Sequence, residues 1–287
     1  MKGCLLNFVS RGTHSIRGWV PPFLVLCFVF APNFEEASHG TEAARQKWVV
    51  RGLYDQFPDE HIRGLAEYPE GVIWLGTWGE GLVRYDGRER RHVERTDGLP
   101  SDFIRRVSVA PDGKIWVAAR GGAASLTEDL SIIEVFTEEE GLVSDDLFGM
   151  DIDSTGRVWV SGRSGVSRID PDGTVHQFGT NHPDMIGLRG RSMVVDESRG
   201  VLWVGWENGT VNAFELETGE LSETYPKQIF CASQTVNDLE MDTNNHLWVA
   251  CDWGTFRFDG ERVEAIRPES SVGDWGSGGL CPGPDGS

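Results

Sequence analysis

The sequence has no apolar run long enough to cross a bilayer. Its longest, WVPPFLVLCFVFA at residues 19–31, holds 13 residues, where a spanning helix needs about 20. Positive charge is also scarce. Lys and Arg number 26 against 45 Asp and Glu, a formal net charge of −19. Such a balance argues against a nucleic-acid backbone or an anionic membrane surface as partner. The histidines, among them His61, His92, His176, His182 and His246, show no metal-ligand spacing. There is no Gly-x-Ser-x-Gly elbow and no phosphate-binding glycine loop. No catalytic residue, metal or cofactor is therefore expected.

What is present begins with a leader. Lys2, Arg11 and Arg17 precede the apolar run without an acidic residue, and Val29, Phe30 and Ala31 offer a small-residue cleavage site. Residues 1–31 read as a secretory signal peptide. A lipoprotein needs a small residue before Cys27, where Leu26 stands. Removing the leader takes the charge to −22, and residues 32–46 read as a polar, flexible segment. The expected location is periplasmic or extracellular. Three cysteines then remain: Cys231, Cys251 and Cys281. An oxidising compartment permits a Cys231–Cys251 disulfide at one end of the fifth repeat; two buried free thiols are the alternative.

The rest, residues 47–287, is organised around GVIWLGTWGEGLVRYDG at residues 71–87. It reads as a turn, a short strand, a glycine-broken loop and a second strand. The module returns around Trp116, Trp159, Trp203 and Trp248, so that with Trp74 the spacings are 42, 43, 44 and 45 residues. A period in the low forties with several short strands per repeat predicts an all-β fold, a β-propeller of four-stranded blades. A blade cannot bury both faces of its sheet alone, so each repeat Trp reads as filler between neighbouring blades. In the second repeat the strands are expected at 104–110, 114–119, 123–127 and 131–136. The third is placed at 147–152, 157–161, 166–169 and 174–178, and the fifth at 236–241, 246–251, 255–258 and 262–266. The fourth is least regular, with a long polar connection at 179–190. Residues 48–51 read as the outer strand of a further blade. Pro284, Asp285 and Gly286 repeat the turn of Pro111, Asp112 and Gly113. The next Trp would fall about three residues past Gly286. The expectation is five blades, partial blades at both ends, and an incomplete ring from a truncated frame or fragment.

The elements GLPSD, then V-x-V-x-P-D-G, then I-W-V, then G-x-x-x-L-x-x-x-D resemble the two-component regulator propeller repeat. The best local matches are Gly98 to Ser101 and the pair Gly76, Thr77. Ala118, Gly162 and Cys251 depart from that Gly-Thr pair in later repeats. The resemblance implies a periplasmic sensor module, often one that senses carbohydrate. Such modules commonly precede an immunoglobulin-like domain, a transmembrane helix and a histidine kinase or other output domain. None of those parts is in this sequence, so the expectation is an input module whose link to the membrane and transmitter is missing.

Ligands of such a fold are expected where the loops joining second to third strands meet those joining one blade to the next. The first set carries Thr77, Trp78, Glu80, Arg120, Arg163, Trp206, Glu207, Asn208, Asp252 and Trp253; the second adds His61, Asp102, Asp145, Asp146 and Gln234. Trp78, Trp206 and Trp253 beside charged and amide groups suit a sugar, whose apolar face stacks on indole while its hydroxyls take hydrogen bonds. A solvated rim with tryptophans packed on neighbouring blades is the plainer alternative. Asp151 to Gly156 have the acidic spacing of a calcium loop, but Gly162 stands where the closing Glu belongs, so a β-turn is expected. The main functional expectation is a ligand-binding, glycan-sensing module with a downstream signalling domain or protein as partner. The alternatives are a propeller enzyme, a lyase or glycoside-active protein using His61, Asp146 and Glu207, and a protein-interaction scaffold with an acidic contact surface. Fold alone does not choose among them.

Overall fold

The computed structural model describes residues 61–180, 182, 185–230, 235–252 and 254–266. They form five four-stranded antiparallel sheets, each wound in chain order. Blade 1 holds β1 (Ile62–Glu67), β2 (Ile73–Thr77), β3 (Leu82–Tyr85) and β4 (Arg90–Val93). Blade 2 holds β5 (Ile104–Val109), β6 (Ile115–Ala119), β7 (Gly122–Leu126) and β8 (Ile132–Phe136). In blade 3 these are β9 (Gly149–Ile152), β10 (Val158–Ser161), β11 (Val166–Ile169) and β12 (Val175–Phe178). Blade 4 follows with β13 (Gly190–Asp196), β14 (Val201–Trp206), β15 (Val211–Glu215) and β16 (Leu221–Tyr225). Blade 5 is β17 (Val236–Met241), β18 (Leu247–Cys251), β19 (Gly254–Phe258) and β20 (Val263–Ile266). The first strands pack on one another in the order β1, β5, β9, β13, β17 and so are the inner strands of a propeller. The signal peptide, the leader and the partial blades expected at either end lie outside the described residues.

Burial follows from the stacking. A second strand such as β6 is buried at every residue, because a neighbouring blade covers each face. The outer strand β4 is exposed at Arg90, Arg91 and His92, and charge on such an edge discourages pairing with another chain. Four apolar clusters sit at the four junctions between consecutive blades. Trp74 faces Ile115 and Val117 of blade 2. Trp116 faces Val158 and Val160 of blade 3, and Trp159 faces Leu202 and Val204 of blade 4. Trp203 faces Leu247 and Val249 of blade 5. Among the described residues no cluster joins blade 5 to blade 1.

A carboxylate fastens three of the five repeat tryptophans. The indole N–H of Trp159 donates to Asp153 at 3.1 Å, that of Trp203 to Asp196 at 3.2 Å and that of Trp248 to Asp242 at 2.9 Å. Each Asp closes the turn between first and second strands. Asp153 also accepts from Thr155, from the Arg157 amide and from the Arg157 guanidinium. The acidic segment from Asp151 is thus a fastened turn. The carboxylate of Asp151 accepts from the amide of Val195 in blade 4 at 2.7 Å. In blade 1 the acceptor for Trp74 is the carbonyl of Tyr68. In the long connection after β12 the His182 N–H donates to the Gly179 carbonyl, that of Met185 to His182 and that of Leu188 to Met185. The connection drops Met185 into the core between blades 3 and 4.

Candidate functional site

In every blade the start of the inner strand meets the end of the second strand, which brings both loop sets to one end. The first pairs are Ile62 with Thr77, Ile104 with Ala119, Gly190 with Trp206 and Val236 with Cys251. After each of these the register shifts by one residue. The extra residues are Arg63, Arg105, Arg191 and Asn237. Phe148 holds the matching place in blade 3, just before Gly149 pairs with Ser161. All five stand eleven residues before the blade Trp, or twelve in blade 4. A bulge frees its extra residue from the ladder and re-aims the side chain, so one repeat position supplies side chains to this loop end of the inner strands, here called the mouth.

The side chains there alternate guanidinium and ring. Arg63 and Arg105 each lie 5.2 Å from the centre of Trp78. Arg105 is also 4.1 Å from Phe148, which Arg189 approaches at 5.5 Å. Arg120 sits 5.4 Å from Phe103 and 6.0 Å from Trp78. Trp78 and Phe103 meet edge to face at 5.2 Å. Each such cation–ring contact is worth about 0.5–1 kcal/mol at an exposed site and more when dry. Backbone bonds hold the framework: Trp78 N–H donates to the His61 carbonyl at 2.9 Å, and Arg120 N–H to the Phe103 carbonyl at 3.2 Å. Two carboxylates join it. Asp146 accepts from Arg105 at 2.8 Å, and Glu207 faces Arg189 at 3.4 Å.

The cations crowd one another. Burial lowers the pKa of Arg63, and the charge of Arg191 lowers it further. Burial also lowers Arg105; Asp146 opposes this, while Arg120 and Arg191 add to it. Arg106 is pushed down to about 10, by burial first, against the pull of Asp238 and with the push of Arg191 and Arg105. All three stay protonated at neutral pH. Arg106 belongs to a buried crosslink across the inner strands. It lies 3.8 Å from Asp238 of blade 5 and donates to the Arg191 carbonyl at 3.2 Å. Asp238 in turn accepts from Ser192 of blade 4 at 2.8 Å. Breaking one partner of such a pair is costly because the other charge stays buried.

The structure gathers Trp78, Arg120, Asp146 and Glu207 at this mouth. His61 is exposed and contributes its carbonyl to the Trp78 amide. Arg163 is exposed on the adjoining loop, where it donates to the Gly187 carbonyl at 3.4 Å and its backbone bridges to Arg189. Trp206 is placed differently from the rim position expected of it. Its ring is 0% exposed, packed in the core between blades 3 and 4. It ends β14 on the same face as Leu202 and Val204, so strand alternation turns it inward. Asp102 and Asp145 accept from the amides of Arg95 and Glu138 and so fasten their own loops. Asp252 accepts from the Asn237 amide at 2.9 Å. Cys251 is disulfide-bonded; Cys231, Trp253 and Gln234 lie outside the described residues. The residues that sequence reading passed over are Arg63, Arg105, Arg189, Arg191, Phe103 and Phe148. Aligning the repeats on Trp and reading eleven residues back, or twelve in blade 4, would have found four of the six: Arg63, Arg105, Phe148 and Arg191.

No protein-family model matches the chain, and no curated protein matches it by sequence. Solved structures do match. One is the extracellular domain of a hybrid two component system from B. thetaiotaomicron, 19% identical with a TM-score of 0.59 over 75% of this chain and 28% of that one. A second extracellular domain described in the same way, from the same organism, is 17% identical with a TM-score of 0.59. It is covered over 72% of this chain and 29% of that one. The chain thus spans under a third of these extracellular-domain structures. Virginiamycin B lyase from Staphylococcus aureus is 13% identical with a TM-score of 0.61, covering 74% of this chain and 71% of the lyase. At these identities the likeness is one of fold, and the fold is the β-propeller that the repeat period predicts.

Proposed function

We propose that the chain is the ligand-binding part of an exported sensor, an input module of two-component signalling whose ligand is an oligosaccharide. The observation that supports it is the mouth itself, where Trp78, Phe103 and Phe148 alternate with guanidiniums and carboxylates. Sugar rings offer an apolar face to an aromatic ring and hydroxyls to charged donors and acceptors. The shared fold with extracellular domains of hybrid two component systems supports the sensor part. In this reading the module works in the periplasm or outside the cell, and a downstream signalling domain or protein receives the signal.

The fold shared with a lyase raises an enzyme as the second reading. Of its candidate residues, Asp146 is tied to Arg105 and Glu207 to Arg189, and His61 meets Trp78 through its backbone. A calorimetric screen of oligosaccharides with product analysis separates the two. Binding without turnover, weakened about five- to a hundredfold by Trp78→Ala in protein shown to remain folded, is the expected result. Turnover that Glu207→Gln abolishes would establish the enzyme instead.

A further inference from the structure

We propose that the channel mouth selects a short, carboxylate-bearing oligosaccharide, held by the guanidiniums of Arg63, Arg105, Arg120, Arg189 and Arg191 around Trp78 and Phe148. The inference rests on the reading of the mouth as an oligosaccharide site and adds the charge of the ligand.

Three observations carry it. The chain has a net charge of −19, yet five guanidiniums from blades 1, 2 and 4 converge on one opening. Three of them, Arg63, Arg105 and Arg191, stand at the repeated bulge position at one end of the inner strands. Gathering them has a cost, since the charge of Arg191 is felt at both Arg63 and Arg105. An anion beside them would add to the compensation that Asp146 already gives Arg105.

Second, the cations are pre-oriented. Ring contacts hold Arg63, Arg105, Arg120 and Arg189 against Trp78 and Phe148, so that little side-chain freedom is left to lose on binding. A guanidinium offers a planar fork of N–H donors that matches a carboxylate at two points. A ring sugar bearing a carboxylate presents both an apolar face and that anion.

Third, the surrounding charge limits ligand length. Beyond a Debye length of about 8–10 Å the acidic body repels anions only weakly, but a long polyanion would lie along it at close range. A short oligomer with one to three carboxylates meets the cationic mouth without that penalty.

The test is titration calorimetry on the full chain with matched ligands. Trigalacturonate, trimannuronate and an unsaturated glucuronate disaccharide are compared with their methyl esters, which keep the rings and lose the charge. At least one acid should bind at least about tenfold more tightly than its ester. That affinity should fall as salt rises from 50 to 500 mM (roughly a threefold cut in screening length). The exposed variant Arg120→Ala should weaken the acid about tenfold and leave the ester unchanged. Equal affinity for acid and ester, or no binding of any acid, overturns the proposal. A neutral oligosaccharide that binds and is lost in Trp78→Ala would then keep the sensor reading while this one falls.

Discussion

At the scale of single residues, the turn aspartates do more than shape a loop. Burial by itself would raise the carboxyl pKa of Asp153, but the hydrogen bonds from Thr155, Trp159 and Arg157 outweigh it and leave the pKa lowered. Asp196 and Asp242 show the same direction, each with an indole donor. A depressed folded-state pKa contributes stability above the unfolded value, about 4 for Asp. That stability is lost as pH falls through the lower folded value. Asp153→Asn keeps the shape and removes the charge. It should cost about 1–3 kcal/mol at pH 7. The gap between wild type and variant should narrow as pH falls below about 4, as read by urea denaturation at pH 7 and pH 3. An unchanged gap at low pH would mean that the charge of Asp153 is not what fastens Trp159.

At the scale of the element, strands are packed so tightly that certain glycines have no substitute. Gly122 opens β7 at φ 123°, and a Cβ there would lie 2.2 Å from the Phe136 carbonyl oxygen. Gly71, in the first turn, also has positive φ, 82°, but a Cβ would meet nothing within 4 Å. Gly71→Ala should therefore cost about 1 kcal/mol, the conformational strain alone. Gly122→Ala adds a clash with backbone and should cost about 1–3 kcal/mol more. Thermal unfolding of the two variants checks the order. Equal losses would show that blade 2 relaxes at its third strand.

At the scale of the molecule, stability is a sum of blades and the junctions between them. Trp159 is 0% exposed inside such a junction. Trp248 occupies the same repeat position but is half-buried and belongs to none of the four clusters. Trp159→Ala should cost about 3–5 kcal/mol, as large core aromatics do. Trp248→Ala should cost less than about half of that, in denaturant midpoints measured side by side. Similar losses would mean that the fifth blade is covered as fully as the third. Export is also a property of the whole chain. Cleavage after Ala31 should leave mature protein beginning at about Pro32, which N-terminal sequencing of a periplasmic fraction reads directly. A full-length cytosolic product would remove the oxidising compartment that a Cys231–Cys251 bond needs.

The sequence by itself determined the blades. Trp74, Trp116, Trp159, Trp203 and Trp248 recur at nearly even spacing, and glycine turns such as the one at Gly113 bracket them, because each blade solves the same packing problem with the same residues. Strand ends expected around Trp116 and Trp159 fall within one or two residues of those observed, since period-two alternation and turn chemistry are local signals. The tertiary structure decided the site. Trp78 and Trp206 look alike as residues just past a second strand. One lies at the mouth among three guanidiniums and the other is sealed between blades, because the pleat turns Trp206 toward the core. Arg63, Arg105 and Arg191 lie far apart in the chain and are unremarked in any one repeat. They become neighbours because the inner strands pack side by side and a bulge recurs at the same step of each.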